Sequence, residues 1–195
     1  MDEVLVFVEF LGDYGKWKKG DFAPIPAKEA LELYKQGLVR FSDLSRDVVK
    51  LISTMDAIIQ HGKQRAPLSI KVERSLYREV ETYLWLLENI ITAPQANTID
   101  SLQAYVQRYS SLKNWYEKFR AHRFKVIVDA ARLRPNSMQI LGRLADEERL
   151  VYMLLSAVYL AFTQGSLSAD RIISAVEEVI STWRKGGGLD GGATD

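Results

Sequence analysis

Cysteine is absent from the 195 residues. That excludes disulfides, thiolate metal sites, iron–sulfur clusters and a cysteine nucleophile, and it fits a reducing compartment. No run of about 18 apolar residues occurs, so no segment is expected to span a membrane. Asp2 and Glu3 open the chain ahead of a short apolar run, which lacks the positive start and small-residue cleavage site of a secretory signal. The expected location is therefore cytoplasmic. Charge of one sign is not in excess either: 26 Lys and Arg face 25 Asp and Glu, a net charge of +1. A protein that clamps nucleic acid through phosphates carries a clear positive surplus, so any basic site here has to be local.

Histidine is scarce, with His61 and His122 alone, far apart in sequence. No His-x-x-x-His or Glu-x-x-His spacing occurs, and His122 sits in a basic run that repels cations. Both histidines are expected at the surface or in packing. The densest acidic cluster is Asp146-Glu147-Glu148. Adjacent carboxylates serve acid/base chemistry or hold Mg2+, so a metal-dependent enzyme built on these three is one reading. The other is that they open a helix, where carboxylates satisfy unpaired N–H groups. The phosphate-cradling and nucleophile-elbow motifs G-x-x-x-x-G-K, G-x-G-x-x-G and G-x-S-x-G are missing. Gly186-Gly187-Gly188 follows the last expected helix and does not lie between a strand and a helix. Together these absences lead to the expectation of a protein with no catalytic residues, no metal and no cofactor.

What is present is an ordinary globular composition, 47% hydrophobic and 26% charged. A chain of this length buries about 70% of its unfolded surface. Residues 4–10, Val-Leu-Val-Phe-Val-Glu-Phe, predict a strand. Val4, Val6, Val8 and Phe10 share one face and Leu5 and Phe7 the other, which suggests a central strand. A turn-rich loop follows over 12–21, then a short strand over 22–25. Pro26 suits the first turn of a helix over Ala27–Gln36, with Ala27, Ala30, Leu31 and Tyr34 on one face and Gly37 as its left-handed end. Residues 38–41 return as a strand.

From Ser42 the periodicity becomes helical. Helices are expected over about 42–60, broken by His61-Gly62, over 68–91, over 98–133 with Thr98 as cap, over 146–162 ended by Gly165, and over 169–184 with Ser168 as cap. Residues 135–142 read as less regular. The fold class expected is α+β, mostly α: a small β-rich module at 1–41, a helical domain of about five helices at 42–185, and a glycine-rich disordered tail at 186–195.

The most unusual stretch is Lys113–Arg134. Seven cations (Lys113, Lys118, Arg120, Arg123, Lys125, Arg132 and Arg134) stand against two acids, Glu117 and Asp129, and Trp115, Tyr116, Phe119 and Phe124 are interleaved. Three readings are open. Cations plus stacking rings suit nucleic acid. Leu112, Tyr116, Phe119, Val126, Ile127 and Ala130 fall near one side of a helix and suit a core, with the cations solvated. Trp, Tyr and Arg are also the usual anchors of a protein interface. Candidate interface residues are Trp115, Tyr116, Phe119, Arg120, Arg123 and the loop residue Trp17, whose ring either contacts a partner or folds back over the module's core.

The order of parts, and the residues Gly15-Lys16-Trp17-Lys18-Lys19-Gly20-Asp21, Ile25-Pro26, Ala30 and Gly37-Leu38-Val39, resemble the small domain of GINS subunits. Trp115-Tyr116-Glu117-Lys118-Phe119-Arg120-Ala121-His122-Arg123 looks like that family's arginine-bearing helix. Asp146-Glu147-Glu148 with Tyr152 looks like the acidic start of the helix after it. The likeness spans residues 3–163, with the β module first, as in the β-first archaeal class. The resemblance implies a non-catalytic subunit of a heterotetramer, two of each class, in the replicative DNA helicase assembly. The implied partners are a sister GINS subunit of the helical-first class, the MCM helicase and a RecJ-like replisome protein. Primase and a weak DNA contact are further implied partners, with no membrane and a nucleoid-associated location. The alternative is direct nucleic-acid binding by the basic-aromatic helix 113–134.

Overall fold

The computed structural model describes residues 4–64, 68, 71–73, 75–93, 99–163 and 168–185. Thr98, Gly165 and the tail after Lys185 lie outside the described residues. Three strands, β1 (Leu5–Phe10), β2 (Phe22–Pro26) and β3 (Val39–Phe41), form an antiparallel sheet in the order β2-β1-β3. The central place of β1 matches its apolar composition. Helix α1 (Ala27–Lys35) joins β2 to β3, and α2 (Leu44–Gln64), α3 (Leu76–Thr92), α4 (Ile99–Leu133), α5 (Met138–Leu141), α6 (Asp146–Thr163) and α7 (Ala169–Lys185) follow. The fold is α+β and mostly helical, as expected. Six helices follow β3 among the described residues, one more than the periodicity suggested. The addition is the single-turn α5, within the stretch read as less regular.

The change from strand to helix falls between Phe41 and Leu44. Compactness divides the chain elsewhere: one unit holds residues up to Ala57 and Ser75–Phe119, and the other holds Ile58–Arg74 and the chain from Arg120 on. Both α2 and α4 therefore contribute to two cores, one from each end.

In the first unit the register pairs Val6 with Ile25, Val8 with Ala23 and Phe10 with Val39. Directly paired residues point to one side, so these six form an inner face. All six are buried, together with Ala27, Ala30, Leu31 and Leu33 of α1. The loop over 12–21 closes on this core. Tyr14 and Trp17 exchange both backbone hydrogen bonds at 2.9 Å around Gly15, whose φ is +56°. That brings the Trp17 ring to 5.7 Å from Phe10, nearly parallel. Trp17 thus folds back over the core, half-buried, with the Lys16 ammonium 4.7 Å from its ring centre. The Asp13 and Asp21 carboxylates accept the Lys19 and Lys18 backbone N–H groups at 3.1 and 2.8 Å and pin the lysine-rich turn.

Gly37 ends α1 as its position suggested. Its φ is +73°, its N–H donates to Tyr34 C=O, and the Leu38 N–H donates to Leu33 C=O. This pair of bonds satisfies two carbonyls left over at the helix end. A Cβ at Gly37 meets nothing within 4 Å, so its cost is purely conformational. Gly37→Ala is expected to destabilise the first unit by about 1–2 kcal/mol, read as a lower urea midpoint. An unchanged midpoint would contradict the left-handed assignment.

The helical part of this unit buries Leu44, Val48, Leu51 and Met55 of α2, Leu76, Tyr77, Val80, Tyr83, Leu86, Leu87 and Ile90 of α3, and Leu112, Tyr116 and Phe119 of α4. Two phenols tie the helices. Tyr83 Oη donates to Asp47 and Tyr116 Oη to Glu81, both at 2.6 Å. Burial, then the Asp47 carboxylate, pushes the Tyr83 phenol well above its ordinary pKa.

Two boundaries differ from the sequence expectation. Helix α2 continues through His61-Gly62 to Gln64. One glycine in a helix costs about 1 kcal/mol relative to alanine, and the buried Ile58 and Ile59 just before it outweigh that. Helix α3 begins at Leu76, not Leu68. Val72 is fully buried, and its N–H donates to Arg143 C=O at 3.1 Å, a bond that takes it out of any helix.

Candidate interaction surfaces

The second unit is organised by buried charge. Arg123 of α4 and Glu148 of α6 are 1% and 3% exposed and pair through two bonds, Nε to Oε1 at 2.6 Å and Nη2 to Oε2 at 2.8 Å. Glu148 is the third residue of α6, and its Oε2 also accepts the Ala145 N–H at 3.1 Å. It thus caps its own helix while neutralising Arg123. Arg149 is buried beside it and donates Nε to the carbonyl of Leu141, the last residue of α5, and to that of Leu144 beyond it. Tyr152 is fully buried; its hydroxyl donates to Arg134 C=O and accepts the Ser137 N–H at 2.9 Å. Around these groups Ile127, Ala131, Leu141, Leu144 and Tyr152 form the core.

Within this arrangement the residues of Lys113–Arg134 differ in burial. Tyr116, Phe119 and Arg123 are buried within the chain, at 6%, 0% and 1% exposure. They are not available as partner anchors: the helix turns Leu112, Tyr116, Phe119, Arg123 and Ile127 to one side, and each unit uses its share as core. Trp115 is half-buried with the Lys118 ammonium 5.1 Å from its ring centre, and Arg120 is exposed. Trp17 lies over Phe10. The six residues are therefore not one site. Of the seven cations, Arg123 is internally neutralised, while Lys113, Lys118, Arg120, Lys125, Arg132 and Arg134 are exposed.

The acidic cluster opens α6, as one of its two readings held, with Asp146 as first residue. Among the described residues no group of three His, Asp or Glu side chains is placed to hold a metal ion. The Glu148 carboxylate is committed to Arg123. His122 is held below the ordinary histidine pKa, first by burial and then by Arg123, Lys63 and Lys125.

Some of the exposed surfaces are apolar. On the sheet, the face opposite the core carries Leu5 at 53%, Phe7 at 48% and Phe22 at 61% exposure, bordered by the Glu9–Arg40 ion pair at 2.6 Å. In the second unit, α6 has no charged residue from Leu150 to Thr163. It buries Tyr152 and Ser156 but leaves Val158 and Phe162 exposed and Leu154 half-buried, one row at a spacing of four. Helix α7 packs on α6 beside an open crevice of about 650 Å³ lined by Met153, Ala157, Leu160, Ala175 and Val179. Ser168 caps α7, its Oγ accepting the Arg171 N–H at 3.3 Å.

Helix α7 is strongly amphipathic, with Ile172, Ile173, Val176, Val179, Ile180 and Trp183 recurring at helical spacing. Yet none of residues 169–183 is buried, and Ile173 is 53% exposed. Sequence periodicity marks such a stripe but cannot say whether the same chain covers it. No helix among the described residues is long and apolar enough to cross a membrane. Compared with protein-family models and with curated proteins, the chain matches none.

Proposed function

We propose that this chain is a non-catalytic scaffold subunit of GINS type, which assembles with a helical-first sister subunit and joins the MCM helicase to a RecJ-like partner in a replicative assembly. The observation that carries the reading is α7. A helix that concentrates its apolar residues on one side, with none of them buried, has a stripe built for another protein. The Val158–Phe162 row of α6 adds to it. Apolar area of this kind contributes about 25 cal/mol per Å² when a partner covers it, and permanent assemblies bury large, apolar faces. Further support comes from the order of parts and from the lysine-rich turn held by Asp13 and Asp21 ahead of α1. In this role the chain hydrolyses nothing, and its polar interior serves stability: Arg123, Glu148, Arg149 and Tyr152 set α4, α5 and α6 in fixed relation.

The test is native mass measurement after co-expression with a helical-first GINS subunit. The expected result is a stable complex of both chains well above the 22.2 kDa of one copy. A chain that stays at that mass and ignores the sister subunit would remove the proposal.

A further inference from the structure

Between Arg120 and Arg132, α4 turns an apolar row to solvent on the side away from the buried Arg123 and Ile127. Phe124 is 57% and Val128 37% exposed, and Ala121 is exposed beside them. Their spacing, i, i+3 and i+7, is that of one helix face. Exposed cations, Lys125 and Arg132, border the row along one side. The stretch has a single acid, Asp129, 3.8 Å from Arg132 with both side chains more than half exposed. An exposed pair at that distance contributes at most about 1 kcal/mol, so Arg132 keeps its charge toward solvent. Glu117 closes the row one turn before Ala121.

We propose that this strip docks an acidic amphipathic helix of a partner protein. The ring and two aliphatic groups offer a seat for an apolar stripe, and Lys125 and Arg132 along its border select Asp and Glu beside that stripe. Charge complementarity of this kind sets specificity and encounter rate. Single-stranded nucleic acid fits less well. Strand-binding surfaces present successive rings for successive bases. Here Phe124 is the one exposed ring, and its neighbours Val128 and Ala121 offer no face for stacking. The strip is separate from the α6 row and the α7 stripe, so this inference does not rest on the scaffold reading.

The experiment uses the full chain and fluorescence anisotropy with three dye-labelled probes. One is a synthetic helix of about 18 residues, long enough to hold helical structure, with leucines on one stripe and glutamates beside it. The second has lysine for glutamate, and the third is single-stranded oligo-dT. The acidic helix is expected to bind saturably at about 1–100 μM, as suits a small interface. Phe124→Ser, and separately Lys125→Glu with Arg132→Glu, are each expected to weaken it about tenfold or more, since an anchor is worth at least about 1.4 kcal/mol. The lysine probe and oligo-dT are expected to bind at least about tenfold more weakly than the acidic helix. No saturation by the acidic helix, an affinity unmoved by either variant, or tighter binding of oligo-dT each overturns the proposal. All three substituted positions are exposed, so thermal midpoints stay near that of the parent. Mass in complex with a sister subunit is unaffected by Phe124→Ser, which keeps the two proposals separable.

Discussion

Glu148→Gln is expected to destabilise the second unit by about 3–5 kcal/mol, because it leaves the Arg123 guanidinium charged and buried without its counter-charge. The side chain keeps its shape, so the loss is electrostatic and not a cavity. Arg123 has little else to fall back on: among the described residues its Nη1 already finds no acceptor. Glutamine also offers only one acceptor oxygen where the carboxylate used Oε1 for Nε and Oε2 for both Nη2 and the Ala145 N–H.

The measurement is urea denaturation followed by circular dichroism. A loss under about 1 kcal/mol would show that the pair is not the buried electrostatic tie described. The joint replacement Arg123→Met with Glu148→Leu is the informative control. Replacing both partners by apolar groups removes the desolvation cost of two ions and is often nearly neutral. It should recover most of what the single change loses, short of about 1 kcal/mol for the orphaned Ala145 N–H.

The sheet was legible because its signals are local. Alternation in Val6, Val8 and Phe10, the turn glycines and Gly37 each act over a few residues, and β1 took the central place its composition suggests. Helical stripes were legible as stripes. Their ends were less so, because tertiary contacts decide them: Val72 leaves the helical pattern for a hydrogen bond to Arg143, and α2 runs through Gly62 because Ile58 and Ile59 are already buried. The role of Arg123 was hidden for a different reason. In sequence it is one of seven cations in a basic run, and nothing local sets it apart from Arg120. Its partner lies 25 residues away, on a helix whose carboxylates are equally explained by the helix dipole. Only the helical angle hinted at it: Arg123 falls in line with Tyr116, Phe119 and Ile127, the side read as core, and a cation on that side needs a buried anion.

The same reasoning, turned outward, separates the apolar residues that hold the chain together from those that await something else. Phe10, Phe119 and Leu144 are at most 1% exposed, whereas Val158, Phe162 and Ile173 are 37%, 58% and 53% exposed. The triple variant Val158→Lys, Phe162→Lys and Ile173→Glu is therefore expected to keep the fold, with a stability change within about 1 kcal/mol. Lysine suits the last turns of α6 and glutamate the first turns of α7, where the helix dipole favours each sign. Lysine and glutamate are also good helix formers.

What the variant removes is the ability to be covered by a partner. Three charges set into an apolar contact are expected to weaken assembly with a sister subunit about 100-fold or more, at roughly 1–2 kcal/mol for each anchor. The complex should then split into single chains of 22.2 kDa in sedimentation or native mass measurement, while circular dichroism stays that of the parent. If the triple variant instead assembled as tightly as the parent, the partner would have to sit elsewhere, and the outer face of the sheet, with Leu5, Phe7 and Phe22, is a further exposed apolar surface that could receive it.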